Sequence, residues 1–154
     1  MNDKNEKETW FSYRLCFTDT SFFYALVDRS DTFHFVCKKL LQQAEKQRNR
    51  ILTTNFIVAE SHALILSRLG RSIAYQWLES VIEYAWIERI TEDDEVKTRR
   101  ILRDYNDKDF SYTDAASFVV MERLNVHIAF ALDEHFVQYG GFLVLPLHGE
   151  QLLE

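Results

Sequence analysis

Four acidic residues lie where strand-like and helix-like segments of the chain meet: Asp19, Glu60, Asp114 and Asp133. When strands alternate with helices, such points gather at one edge of a parallel sheet, where α/β proteins bind their ligands. Four converging carboxylates repel one another unless cations lie between them. The sequence therefore predicts a site for divalent metal ions, and with it an enzyme.

Hydrolysis of a phosphodiester bond is the chemistry that such a site would perform. Two divalent ions about 4 Å apart activate a water molecule and stabilise charge on the attacking and leaving oxygens. Mg²⁺ and Mn²⁺ prefer oxygen ligands and need only a few carboxylates each. The sequence lacks a glycine-rich phosphate-binding loop and the histidine and cysteine spacing of a zinc site.

Each acid taken alone also has a structural explanation. Asp19 and Asp114 are of a type that commonly caps helices, and Asp133 suits a turn after a strand. Glu60 lies in a largely apolar helical segment, where an acid is expected to be paired or to bind a metal. The set of four, more than any single member, carries the prediction.

Other charged and polar residues are open to two interpretations. His62 and His135 are candidate ligands, although a structural role is favoured for both. The acidic run 92–95 is better explained as the first turn of a helix than as a metal site. Clustered arginines could line a substrate groove or lie on solvated helix faces; those nominated for a groove are Arg48, Arg50, Arg68 and Arg71.

The composition indicates one globular domain in a reducing compartment. The chain has 154 residues, of which 47% are apolar, and only two are cysteines, for which buried free thiols are expected. No signal peptide or membrane-spanning stretch is found, so a cytoplasmic location is expected. The predicted domain is 14–148, between a flexible N-terminal segment, 1–13, and a C-terminal tail, 149–154. The net charge of −6 argues against broad electrostatic binding of nucleic acids, but it does not exclude a nuclease.

Apolar runs alternate with helix-like segments along the chain, which predicts a parallel sheet with helices on both faces. Strands are predicted at 15–18, 51–53, 86–90, 126–132 and 142–145. Helices are predicted at 20–27, 31–48, 56–69, 72–84, from 92 onward, and at 115–124, and loops at 107–112 and 133–141. The expected fold is a three-layer α/β/α sandwich around a mainly parallel sheet of four to five strands.

Four sequence blocks, in this order, resemble the PIN-domain ribonucleases, a family that includes VapC-type toxins. The first block contains an acid and hydroxyl after strand one, the second contains a helical glutamate, and the last two contain Asp114 and Asp133. Together they cover nearly the whole of the predicted domain. The blocks are 17–21, 53–60, 109–118, and 131–136 followed by Gly141-Phe142.

The resemblance implies Mg²⁺- or Mn²⁺-dependent cleavage of RNA by metal-activated water. Asp19, Glu60, Asp114 and Asp133 match the acidic positions of the family. Thr20 or Ser21 matches the hydroxyl that orients the first aspartate, with Ser21 favoured, and Thr113 is a further supporting residue. Many members form homodimers and pair with a small antitoxin protein, so the predicted function is the toxin of a toxin–antitoxin pair.

Several other functions were weighed against this one. A stand-alone PIN nuclease in RNA processing, and a non-catalytic module of the same fold that binds RNA or protein, both remain open. A phospho-receiver domain is set aside because it needs paired acids after the first strand, and a haloacid-dehalogenase-type phosphatase because it needs Asp-x-Asp there. This chain has Asp19-Thr20-Ser21 at that point.

Overall fold

The computed structural model describes residues 14–147. The predicted flexible segment 1–13 and tail 149–154 lie outside this range. Within it, none of the helices has the length and apolar character that crossing a membrane requires.

Five strands and seven helices make up the described part of the chain. The strands are β1 (Leu15–Thr18), β2 (Arg50–Thr54), β3 (Trp86–Glu88), β4 (Ile128–Ala131) and β5 (Leu143–Pro146). The helices are α1 (Thr20–Val27), α2 (His34–Lys46), α3 (Asn55–Leu69), α4 (Arg71–Tyr84), α5 (Glu92–Asp104), α6 (Tyr112–Arg123) and α7 (His135–Tyr139).

The strands form one sheet in the order β3-β2-β1-β4-β5, and every neighbouring pair is parallel. Strand β1 lies at the centre, with Cys16 opposite Ile51 of β2 on one side and Ile128 of β4 on the other. The predicted parallel sheet is therefore confirmed.

Helices cover both faces of the sheet. Side chains alternate between the faces along a strand, and the contacts of β1 and β4 follow this alternation. On one face the ring of Phe130 in β4 stacks on Phe22 of α1, with centroids 4.8 Å apart. On the other, Phe17 of β1 packs against Phe136 of α7 at 6.1 Å. The arrangement is the predicted three-layer α/β/α sandwich.

Several helices begin after a threonine whose hydroxyl caps the first turn. The hydroxyl of Thr54 accepts a hydrogen bond from Ile57 N at the start of α3, and Thr91 forms a capping box with Asp94 at the start of α5. Asn125 has φ 54° just after α6, as expected for a residue that ends a helix in the left-handed region. Cys16 and Cys37 are buried free thiols, as predicted.

The largest differences from the predicted elements are in α6, α2 and α7. Helix α6 begins at Tyr112 because Ser111 and Asp114 form a capping box, a Ser-x-x-Asp pattern. Helix α2 begins at His34, later than predicted. The predicted loop 133–141 contains α7, which at five residues is too short to show helical periodicity in the sequence.

The acidic run 92–95 has a structural role, as predicted. Asp94 is 1% exposed and accepts hydrogen bonds from Nε and Nη2 of Arg123, both at 2.9 Å. Nη1 of Arg123 contacts Glu88 at 3.0 Å. The ion pair joins α5 and β3 to the end of α6.

Candidate active site

The order of the strands determines where a site can form. The chain leaves β1 toward β2 on one side, whereas β4 lies on the other side of β1. The segments that follow β1 and β4 therefore diverge at the carboxyl edge of the sheet, which is where open α/β sheets bind ligands. Asp19 follows β1 directly, and Asp133 lies two residues after β4.

Asp19 is a buried carboxylate held by the start of α1. It is the N-cap of that helix, and its Oδ2 accepts hydrogen bonds from Ser21 N at 3.3 Å and Ser21 Oγ at 2.8 Å. Its own backbone N donates to Phe130 O of β4 at 3.0 Å. Asp19 is 4% exposed, so the carboxylate is fixed between the two central strands.

The environment of Asp19 disfavours its charge. The pKa of the Asp19 carboxyl is raised to about 7, chiefly by burial and also by the negative charges of Asp114 and Glu60, while the hydrogen bonds from Ser21 oppose this shift. A cation at this position would offset both the burial and the repulsion. Asp19 therefore has the electrostatics expected of a metal ligand.

Asp114 is fixed by the first turn of α6. Its Oδ2 accepts a hydrogen bond from Ser111 N at 3.0 Å, which is half of the capping box, and is 2.7 Å from Nδ1 of His135. The residue is 6% exposed. The capping prediction and the site prediction for Asp114 are therefore compatible, because one oxygen serves the helix and Oδ1 has no hydrogen bond within residues 14–147.

Asp133 and His135 come from the short segment between β4 and α7. Oδ1 of Asp133 accepts a hydrogen bond from His135 N at 2.9 Å and lies 3.3 Å from Nδ1 of the same histidine. Asp114, Asp133 and His135 each offer a ligand atom, and these atoms all lie within 4.8 Å of one another. The structure thus places His135 beside these two acids as a further candidate ligand, whereas the sequence favours a structural role for it.

The sequence contains a weak signal for His135. It stands two residues after Asp133, immediately beyond a buried strand. A single histidine in a segment assigned to a loop has no periodicity that fixes its direction. Only the presence of α7, which the sequence did not reveal, aims the ring at Asp114.

Glu60 differs from the sequence-based expectation. Of the two expectations for Glu60, a paired acid is wrong, because Glu60 is exposed and makes no hydrogen bond or ion pair with residues 14–147, whereas a metal ligand stays a prediction. The face of α3 that carries Ala59, Glu60 and Ala63 opens to solvent, while Ser61 packs inward. Glu60 is nevertheless close enough to raise the pKa of Asp19, so it borders the acidic cluster.

The three supporting residues occupy different positions. Ser21 contacts Asp19, and its Oγ accepts a hydrogen bond from Leu132 N at 2.9 Å, which links α1 to the segment after β4. Thr20 instead accepts from Ser61 Oγ at 3.1 Å and joins α1 to α3. Thr113 is half-buried beside Asp114, and its backbone carbonyl accepts from Ser117 Oγ.

Two of the four arginines nominated for a substrate groove, Arg48 and Arg50, lie away from the acids. Arg50 begins β2 and Arg48 precedes it, so both lie at the opposite edge of the sheet, about 13 Å of strand away. The guanidinium of Arg68 lies over the ring of Tyr24 at 5.2 Å, and Arg71 begins α4 as an exposed residue. This placement argues against a contact of Arg48 or Arg50 with a substrate at the acidic cluster.

The donor set fits a divalent cation. Asp19, Asp114 and Asp133 supply carboxylate oxygens at one edge of the sheet, and His135 supplies an imidazole nitrogen. Mg²⁺ and Mn²⁺ bind sites with a few carboxylates and complete their coordination with water. The buried charge of Asp19, with its raised pKa, is the observation that supports this fit.

Comparison with known proteins gives a consistent picture at the level of sequence. The profile of the family described as PIN domain matches residues 16–141. The 23S rRNA-specific endonuclease VapC20 of Mycobacterium tuberculosis (strain ATCC 25618 / H37Rv) is 29% identical over 136 residues, covering 86% of this chain and 99% of VapC20. A VapC ribonuclease of Archaeoglobus fulgidus is 32% identical over 115 residues, covering 71% of this chain and 72% of the relative.

Solved structures agree with the sequence comparisons. The crystal structure of M. tuberculosis VapC20, described as a sarcin–ricin loop cleaving toxin, matches with a TM-score of 0.75 at 28% identity, covering 84% of this chain and 96% of VapC20. VapBC2 of Rickettsia felis, bound to a DNA fragment from its promoter, matches with a TM-score of 0.64 at 10% identity, over 84% of this chain and 96% of that chain. The latter likeness shows the fold alone. With a family profile that spans most of its length, the chain belongs to the PIN domain family and is a homologue of the VapC ribonucleases.

Proposed function

We propose that this protein is an endoribonuclease that requires Mg²⁺ or Mn²⁺, and that Asp19, Asp114, Asp133 and Glu60 form its catalytic centre. The observation that carries the proposal is the convergence of three carboxylates at the carboxyl edge of the sheet, one of them buried with a pKa raised to about 7. The nuclease names of its VapC relatives support the same class of reaction.

The residues of the chain position and hold the reacting groups. Asp19, Asp114 and Asp133 would hold the cations, and Glu60, facing solvent, would act at the border of the site. When bound, the ions would supply an activated water and neutralise charge at the scissile phosphate. Ser21 keeps the Asp19 carboxylate in place through its 2.8 Å hydrogen bond.

The name of the VapC20 relative indicates ribosomal RNA as the substrate. VapC20 is named as a 23S rRNA-specific endonuclease, and its crystal structure is that of a sarcin–ricin loop cleaving toxin. The region aligned with this chain covers 99% of the length of VapC20. The sarcin–ricin loop of 23S rRNA is therefore the first RNA to test.

We infer a toxin that acts in the cytoplasm as a homodimer and is inhibited by a small antitoxin, on the strength of the VapC homology. A small open reading frame directly upstream, with a DNA-binding N-terminus, would support the toxin assignment. Its absence would favour the stand-alone nuclease.

Cleavage of a sarcin–ricin stem-loop tests the enzymatic proposal. The wild-type protein should cleave the RNA in the presence of Mn²⁺ or Mg²⁺, and cleavage should stop when EDTA is added. Asp19→Asn and Asp114→Asn should abolish cleavage, whereas Asp104→Asn, a matched change at an exposed acid on α5, should leave it unchanged. Equal cleavage by all four proteins would contradict the site assignment, and cleavage by none would favour the non-catalytic module.

A further inference from the structure

We propose that Nδ1 of His135 is a ligand of the same cation as Asp114 and Asp133, and that this nitrogen makes the site prefer a first-row transition-metal ion such as Mn²⁺ over Mg²⁺. The inference rests on the proposed function and specifies the cation of that site.

The distances place the imidazole among the carboxylates. Nδ1 is 2.7 Å from Oδ2 of Asp114 and 3.3 Å from Oδ1 of Asp133. The ligand atoms of all three residues lie within 4.8 Å of one another. Metal–ligand bonds to oxygen and nitrogen are about 2.0–2.2 Å long, so one ion between these atoms reaches all three with small side-chain shifts.

The ring is held in position before any ion binds. His135 is the first residue of α7, and its backbone N donates to Asp133 Oδ1 at 2.9 Å. The edge of the ring packs against buried Phe110, with centroids 5.6 Å apart and planes at 78°. Phe110 in turn packs against Phe118 of α6. A ligand fixed in this way loses little conformational entropy when the metal binds.

The chemistry of the nitrogen ligand decides which ion is favoured. Mg²⁺ takes oxygen ligands in near-ideal octahedral geometry and gives up its waters reluctantly. Mn²⁺ also favours oxygen ligands, but as a first-row transition ion it accepts an imidazole nitrogen more readily than Mg²⁺ does. The imidazole therefore adds more affinity for Mn²⁺ than for Mg²⁺ to a site that also has two carboxylates.

A purely structural role for His135 makes the opposite prediction. In that case the imidazole only donates a hydrogen bond to Asp114, and a cation entering the site must displace it. Removal of the imidazole would then strengthen the binding of Mn²⁺ and Mg²⁺ alike, because neither ion would have to displace the imidazole from Asp114.

Pulsed electron paramagnetic resonance of bound Mn²⁺ tests the coordination directly in the wild-type protein. A coordinated imidazole gives nitrogen modulation of the Mn²⁺ signal, and labelling the histidines with ¹⁵N should change that modulation. Mn²⁺ that binds without any nitrogen modulation overturns the ligand assignment while leaving the proposed function standing. Uptake of Mg²⁺ without any uptake of Mn²⁺ overturns this inference alone, and uptake of neither ion overturns the proposed function as well.

Competition between Mn²⁺ and Mg²⁺ tests the selectivity. His135→Gln should weaken Mn²⁺ binding by at least about tenfold and change Mg²⁺ binding much less, so the preference for Mn²⁺ falls by about tenfold. His127→Gln is the matched control, since His127 is exposed and precedes β4 at the opposite edge of the sheet. An equal change for both ions, or tighter binding of both, overturns the proposal.

Discussion

Replacing Asp19 by asparagine should remove a pH dependence from the stability of the metal-free protein. The folded protein raises the pKa of the Asp19 carboxyl from 3.8 to about 7, chiefly by burial. In the unfolded chain the carboxyl has its ordinary pKa. Asparagine keeps the shape and the acceptor oxygen for Ser21 but carries no charge at any pH.

The direction and size of the effect follow from proton linkage. Because the folded pKa is raised, the stabilising contribution of protonated Asp19 is complete below pH 3.8 and is lost as the pH rises toward 7. Each pKa unit corresponds to about 1.4 kcal/mol. From pH 5 to about pH 7, a span of about two pH units, the carboxyl keeps its proton in the folded protein but has lost it in the unfolded chain. Between pH 5 and pH 8 the free energy of unfolding of the wild type therefore falls by about 2–3 kcal/mol relative to that of Asp19→Asn.

Urea denaturation in EDTA at pH 5, 6, 7 and 8 measures this difference. Groups other than Asp19 titrate in both proteins and largely cancel when the two free energies of unfolding are subtracted. Asp104→Asn, at an exposed acid, should track the wild type at every pH. A difference between wild type and Asp19→Asn that stays constant with pH, or grows in favour of the wild type, would refute the argument.

Two further substitutions test contacts around the site. Arg123→Met leaves the buried carboxylate of Asp94 without its 2.9 Å partners and should lower the free energy of unfolding by about 2–3 kcal/mol, measured by urea denaturation. Arg103→Met, at an exposed ion pair, should change it by less than about 1 kcal/mol, and equal effects of the two would discount the Arg123 network. Ser21→Ala removes the hydroxyl that holds Asp19 and should weaken Mn²⁺ binding about tenfold or more by calorimetry; unchanged affinity would mean that Ser21 does not orient the carboxylate.

Local sequence patterns predicted most of the fold. The caps Thr54 and Thr91 begin helices because their hydroxyls accept backbone N–H groups within three residues, an interaction that the sequence determines locally. The buried runs around Cys16 and Ala129 form parallel strands because both of their faces are covered. The comparisons confirm the family inferred from the acidic blocks.

The sequence was less informative where tertiary packing decides the outcome. The apolar neighbours of Glu60 in α3 predict a paired or metal-binding acid, but the direction of each side chain depends on which face of the helix meets α1. Arg50 belongs to a basic cluster along the chain, whereas strand direction places it at the edge away from the acids. His135 acquires its position from α7, which is too short to predict by periodicity. The roles assigned to the site residues stay predictions.

Calorimetric titration of Mn²⁺ into the metal-free protein and into Asp19→Asn tests the central claim, that the acids at the carboxyl edge of the sheet form one cation site. The wild type should take up Mn²⁺ saturably at pH 8, and Asp19→Asn should bind it at least about tenfold more weakly. Absence of uptake by the wild type, or identical isotherms for the two proteins, would contradict the account.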